Sequence, residues 1–340
     1  PFTLDPNGRA LEHVNVSVSG DALLLAASTG AELHLLKLSE SENMMTGEIT
    51  LEEQRIALPQ LQEPIKALYI DVQGNWLFVL NGRAHMDVFD LRRRTLNGRY
   101  EMTADASTEV TASAQLLGGI SLLIGDSKGG IAQWFMARDP DDEQRLKFIR
   151  GFQLGDAAIT QIAAEERRKG FVALNAAGEL GVFHSTAHRT LLTENVSDSG
   201  TAMFALSPRA NRILLEDGQR LLPFSLENEH PEISWSSLWS KVWYESYSEP
   251  KHIWQSTAAT VDFEPKMSLA PLTFGTLKAA FYAMLLAAPL AIAAAIYTAY
   301  FMAPGMRRKV KPVIELMEAL PTVILGFFAG LFLAPYVEGH

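Results

Sequence analysis

The chain has 340 residues, a formal net charge of −10 and no cysteine. That length allows two or more domains, and the acidic balance argues against a nucleic-acid partner, which needs Lys and Arg against phosphate. The absence of cysteine excludes disulfides, thiolate metal sites and a cysteine nucleophile.

The chain opens at Pro1 without a charged-then-apolar leader and stops in the tail of an apolar run, so both ends read as cut. From about residue 11 to 226 one pattern recurs five times: a short apolar strand, a glycine-containing turn, and a strand closing on Phe, Leu or Val. The apolar triplets end at Leu25, Val79, Ile124, Ala173 and Leu215, steps of 54, 45, 49 and 42 residues. The turns are Thr29-Gly30, Asn81-Gly82, Lys128-Gly129, Ala177-Gly178 and Asp217-Gly218. Asn-Gly and Asp-Gly between apolar runs signal hairpins, because type I′ turns need positive φ. Further strands fit each period, such as Ala67–Val72 before a triplet and Thr95–Met102 after one. Four strands per unit at this spacing predict propeller blades rather than a sandwich. Strand endings such as Val88-Phe89-Asp90 resemble WD40-like propellers in pattern, without the full signature. The expected fold class is therefore mixed: a partial, propeller-like all-β repeat domain over 1–228, followed by α-helical transmembrane segments.

No chemistry is legible in the repeats. His184 and His188 sit at a strand end and in the following loop, without an acidic partner nearby, short of the three or four convergent ligands a metal needs. Asp139-Pro140-Asp141-Asp142-Glu143 lacks the glycine and the distal glutamate of a calcium loop. Gly125–Gly130 is glycine-rich as a hairpin turn, not as a phosphate loop. The sequence gives no reason to expect a catalytic residue, a metal or a cofactor.

Residues 229–270 form an aromatic linker. Trp235, Trp239 and Trp243 recur every four residues and Trp254 follows. Tryptophan favours the bilayer interface, so these four are candidate membrane anchors on an interfacial helix; the competing reading packs them on the β domain. Ala279–Met302 is 24 residues without a charge, about 36 Å of helix against a hydrocarbon core of roughly 30 Å. Pro289 lies mid-span. A basic loop follows, with Arg307, Arg308, Lys309 and Lys311, which marks the cytoplasmic side. Leu320–Val337 is a second uncharged run of 18 residues. Helices are expected over about 272–302 and 312–337, within a truncated membrane domain at 271–340. One crossing then separates residues 1–270 from the cytoplasm.

The stretch from about Glu249 onward resembles the permease subunits of phosphate-type ABC importers. The residues that carry the resemblance are Pro271–Lys278, Ala288-Pro289-Leu290-Ala291 and Lys311–Gly326, with Thr322 where serine is usual. The resemblance covers residues 249–338 and leaves out the repeats. It implies a multi-pass protein of the bacterial inner membrane whose large periplasmic insert is residues 1–270. It further implies a second permease subunit, cytoplasmic ATP-binding subunits that carry the hydrolysis, and a periplasmic substrate-binding protein. Pro289, Glu315, Glu318, Pro321 and Thr322 become candidate pathway or helix-packing positions. For Glu315 and Glu318 the competing reading is ordinary ion pairing or solvation beside Lys309 and Lys311.

Three function classes follow. A permease subunit of an ATP-driven phosphate importer, with the repeats as a docking or regulatory module, fits best. A membrane-anchored propeller serving protein interaction or sensing would need only featureless spans. A tethered propeller hydrolase would need convergent acids and bases that the repeats lack.

Overall fold

The computed structural model describes the chain apart from residues 1–2, 21, 43–48, 83, 198–201, 219, 260–262, 319–320 and 340, and apart from the side chains of 42, 49, 317 and 318. The chain divides into two units, Pro1–Leu272 and Thr273–His340.

The first unit is a succession of antiparallel meanders. The first sheet holds β1 (His13–Ser19), β2 (Ala22–Thr29), β3 (Glu32–Glu42) and β4 (Ile49–Ile56); the second holds β5 (Ile65–Ile70), β6 (Trp76–Asn81), β7 (His85–Asp90) and β8 (Thr95–Glu101). The third holds β9 (Val110–Gln115), β10 (Leu122–Asp126), β11 (Gly130–Arg138) and β12 (Gln144–Gln153); the fourth holds β13 (Ile159–Ala164), β14 (Gly170–Asn175), β15 (Glu179–His184) and β16 (Arg189–Asn195). The fifth has β17 (Met203–Leu206), β18 (Arg212–Asp217) and β19 (Arg220–Ser225).

The five triplets fall on β2, β6, β10, β14 and β18, the second strand of each sheet. All five turn glycines have positive φ, between 56° and 81°. The uninterrupted apolar runs have a simple cause. One hydrophobic core lies between each pair of consecutive sheets, so a middle strand of the second, third or fourth sheet is buried on both faces, while β18 in the fifth sheet buries Ile213 and Leu215 and leaves Leu214 exposed. On β6, Leu77 and Val79 face the first sheet while Phe78 and Leu80 face the third. Phe171 and Ala173 on β14 face the third sheet; Val172 and Leu174 face the fifth. Polar side chains on the leading strands stitch the junctions. Asn15 accepts from the Ile70 amide at 3.1 Å, Gln115 donates to the Ile70 carbonyl at 2.9 Å, and Gln161 exchanges two bonds with Phe204 at 2.7 and 3.0 Å.

The fifth sheet departs from the four-strand expectation. After Ser225 the chain does not turn back as a fourth described strand. It crosses the strand ends instead: the Leu226 amide bonds to the Asn211 carbonyl, and Asn228 accepts from Arg168. The linker then forms a single short helix, α1 (Trp235–Trp239), capped by a reciprocal bond pair between Ser234 and Ser237. Ser240 is extended, which ends the helix before Trp243 can join its face. A two-stranded ribbon, β20 (Trp254–Gln255) with β21 (Lys266–Met267), completes the unit.

The second unit is helical. α2 (Ala270–Ile296) continues into a π-helical turn at 297–301. α3 (Pro304–Glu318) contains the basic residues read as a loop. Proline at its first turn is pre-set for helix, and Arg, Lys, Met and Leu have good helix propensity. The single helix expected over 312–337 is broken: α3 ends at Glu318 and α4 (Thr322–Phe328) begins after Pro321. Proline disfavours the α conformation in the residue before it and cannot donate to the preceding turn. A π-helical turn at 329–333 leads into α5 (Ala334–Glu338). Phe274, Met284 and Leu290 on α2 are each about 70 % exposed.

Candidate functional site

The most elaborate polar site in the first unit fastens the linker to the third and fourth sheets. Lys169 begins the approach to β14, and Glu245 lies in the linker. Lys169 Nζ and Glu245 Oε2 are 2.5 Å apart, with both side chains at most 5 % exposed. Ser121 donates to the other Glu245 oxygen at 2.6 Å. Gln133 donates to Ser121 at 2.8 Å and accepts from Ser185 at 2.6 Å. Lys169 also donates to the Leu117 carbonyl at 2.6 Å. A second carboxylate, Glu264, accepts from the Glu245 amide at 2.8 Å and from the Thr186 hydroxyl.

Arg150, on β12, closes the arrangement. Its guanidinium donates to the Ser185 and Thr186 carbonyls at 2.6 and 2.8 Å and to the Trp243 carbonyl. Lys266 stands over the rings of Phe263, Tyr244 and Tyr247 at 4.7, 5.7 and 6.0 Å, a cation–π cage built from the linker itself. Burial pushes the Glu245 carboxyl above the usual range, the neighbouring Glu264 adds to this, and Lys169 opposes it. Burial also pulls Arg150 and Lys266 down. Such a network joins two segments rigidly; breaking one partner of a buried pair leaves a charge in low dielectric and costs about 3–5 kcal/mol.

The expected tryptophan anchors separate into two environments. Trp235 is 81 % exposed, while Trp239 and Trp254 are about two-fifths exposed. Trp243 stands edge-on to Phe135 at 6.1 Å and donates to the Tyr247 carbonyl at 2.8 Å. Trp243 is thus packed against the β domain. His184 is buried and neutral, its pKa pulled down to about 3 chiefly by burial; its Nδ1 accepts from the Ala187 amide. His188 lies edge-on to Phe152. The Asp139 carboxylate is consumed by the Asp141 and Glu143 amides and by Arg145.

In the second unit, Ala291, Ala294, Ala295, Thr298 and Ala299 form one face of α2 and its π turn. They share a cleft with Arg307, Lys311 and Glu315 on α3. Arg307 donates to the Ala299 carbonyl at 2.7 Å, a cation at a helix C-terminus where the dipole favours one. Thr298 donates to the Ala294 carbonyl at 2.6 Å. Pro289 sits inside α2, and Pro321 caps α4, with Thr322 as its first residue. Glu315 is exposed; the Glu318 side chain lies outside the described residues. Arg308 and Lys309 follow Arg307 along α3.

The first unit is thus a mostly β-sheet domain, and among the described residues one helix, Ala270–Phe301, is long and apolar enough to cross a membrane. The chain is 39 % identical over 77 residues to the "Probable ABC transporter permease protein YqgH" of Bacillus subtilis. That match takes in 22 % of this chain and spans about a quarter, 25 %, of the relative's length. No family model matches. Solved structures with a similar arrangement include the β-propeller domain of Myceliophteria thermophila Cps50 (Swd1), with TM-score 0.43 and 15 % identity, covering 63 % of this chain and 69 % of that one. A chain of the Mitotic Checkpoint Complex gives TM-score 0.40 and 12 % identity, covering 60 % and 58 %.

Sequence reasoning missed the clasp. Lys169 reads as one more base in Glu165-Glu166-Arg167-Arg168-Lys169, and Glu245 as a surface residue among aromatics. The available signal was a charge inside an aromatic stretch, since buried charges are paired.

Proposed function

We propose that the chain is part of the permease subunit of an ATP-driven importer, with phosphate as the solute. The observation that carries this reading is the 39 % identity over 77 residues to a permease protein. The quoted motifs from Pro271 to Gly326 support it, as does an exposed apolar helix followed by a basic one. In this reading α2 and the segment from Thr322 to Glu338 both cross the bacterial inner membrane. Arg307–Lys311 face the cytoplasm and residues 1–270 the periplasm, where the β domain docks or regulates. A second permease subunit, cytoplasmic ATP-binding subunits and a periplasmic binding protein complete the machine. Hydrolysis belongs to the ATP-binding subunits.

The test is reconstitution of the full-length gene product with its genetic neighbours in proteoliposomes. ATP-dependent uptake of labelled phosphate, undiminished by excess sulfate, is the expected result. Uptake displaced by another solute would correct the substrate and keep the permease. Failure of the assembled complex to transport any solute would leave a membrane-anchored interaction module.

A further inference from the structure

The first sheet packs on the second with one face only. Side chains alternate along a strand. On β1, Asn15, Ser17 and Ser19 point to the second sheet, where they bond residues 70, 71 and 73. Val14, Val16 and Val18 therefore point the other way, and they are 54 %, 50 % and 66 % exposed. They lie opposite Ala27, Leu25 and Leu23 on β2, so one aliphatic face runs across both strands. Elsewhere in the unit this position is core. Ile65, Leu68 and Ile70 on β5, Ile159 and Ile162 on β13, and Phe204 on β17 all enter the core shared with the sheet before. β1 is a leading strand of the same kind with no described sheet before it.

The fifth sheet does not fill the place, because Met203, Leu214 and Leu221 on its own outward face are exposed. The incoming chain, by contrast, already lies on this side. On β3, Leu36 is the neighbour of Leu25, and on β4, Arg55 is the neighbour of Leu36. Arg55 donates to the Leu4 carbonyl at 2.8 Å and to the Thr3 carbonyl. Asp5 approaches His34, the β3 neighbour of Ala27, at 3.9 Å. Residues 3–5 thus lie over the β3 and β4 half of the face, where Leu36 and Leu38 are buried. The β1 and β2 half is the part left open.

We propose that polypeptide preceding Pro1 in the full-length protein folds as a further antiparallel sheet and packs on the Val14, Val16 and Val18 face. It makes there the core that the other sheets make with their predecessors, driven by removal of the three valines and of Leu23 and Leu25 from water. The occupant is the same polypeptide, not a second copy or a partner subunit. Two observations single it out: consecutive sheets pack on one another throughout the unit, and residues 3–5 hold the incoming chain against this face. The inference is independent of the transport reading and of the membrane span.

Thiol accessibility in the full-length protein, purified as a single polypeptide, tests it. Val16→Cys is compared with Asp141→Cys on an exposed turn and with Ala173→Cys on a buried strand. The expected result is labelling of Val16→Cys at the slow rate of Ala173→Cys, with full labelling in urea. Labelling at the rate of Asp141→Cys overturns the proposal. So does protection that needs a second polypeptide, seen as labelling that quickens on dilution or as a Val16→Cys crosslink between copies. Hydroxyl-radical footprinting of the unsubstituted protein keeps the test clear of any folding defect. Val14, Val16 and Val18 should oxidise as slowly as the buried Val172; oxidation like that of the exposed Val72 refutes the assignment.

Discussion

Lys169 and Glu245 meet across 76 residues of sequence in a nearly dry setting, so their worth shows only when one is removed. Lys169→Ala is expected to destabilise the β domain by about 3–5 kcal/mol, while replacing both residues by methionine costs far less, since the uncompensated charge is gone. Urea titration of the solubilised protein, followed by tryptophan fluorescence, checks the difference. An equal cost for single and double variants would show that packing, not charge, holds the linker. His184 gives a pH signature. Its folded pKa, about 3, lies below the unfolded value of 6.5, so its contribution is present above pH 6.5 and is lost as pH falls toward 3. The slope is roughly 1.4 kcal/mol per pH unit within that window. His184→Gln should flatten that part of the stability–pH curve. An unchanged curve would assign acid lability elsewhere. Glu245 runs the other way: its carboxyl is raised, so its contribution is full below the unfolded value of 4.5 and is lost as pH rises from there through the folded value.

At the level of elements, the glycine turns separate two costs. Gly218 has φ +63° with open space around it, whereas Gly178 has φ +80° and a Cβ there would overlap the Ser197 carbonyl oxygen. Gly218→Ala is expected to cost about 1 kcal/mol for the left-handed backbone alone. Gly178→Ala should cost roughly 3 kcal/mol, because the overlap adds to it. Melting temperatures of the two variants test the ranking, and equal shifts would defeat it. These turns were legible in the sequence because their signal is local: glycine between apolar runs at a repeated spacing. The second strands were legible for the same reason, each being apolar on both faces. What escaped was non-local. The clasp joins residues from the third sheet, the fourth sheet and the linker, and no spacing announces that meeting. Trp243 shares the four-residue spacing of Trp235 and Trp239, yet Ser240 takes it off their face. The basic run was legible as charge but not as helix, since a marker of sidedness says nothing about backbone.

For the molecule as a whole, topology is measurable with single cysteines, since these 340 residues contribute none of their own. Single cysteines at Ser41 and Arg308 of the full-length protein are expected to react oppositely with an impermeant thiol reagent in intact cells, Ser41→Cys from outside and Arg308→Cys only after the membrane is opened. Labelling of Arg308→Cys from outside would invert the proposed orientation. The clasp adds a constraint in time. Ser121 and Glu245 are 124 residues apart, and the bond between them needs two finished sheets and a linker made long afterwards. Contacts so distant in sequence form slowly, since loop closure must precede any reward. During synthesis the sheets can stack one after another as they emerge, but the linker has nothing to lock into until the fourth is complete. The clasp therefore reports on completion: a chain whose third or fourth sheet has misfolded reaches α2 with Glu245 and Glu264 still wet, and Lys169 and Arg150 unclaimed.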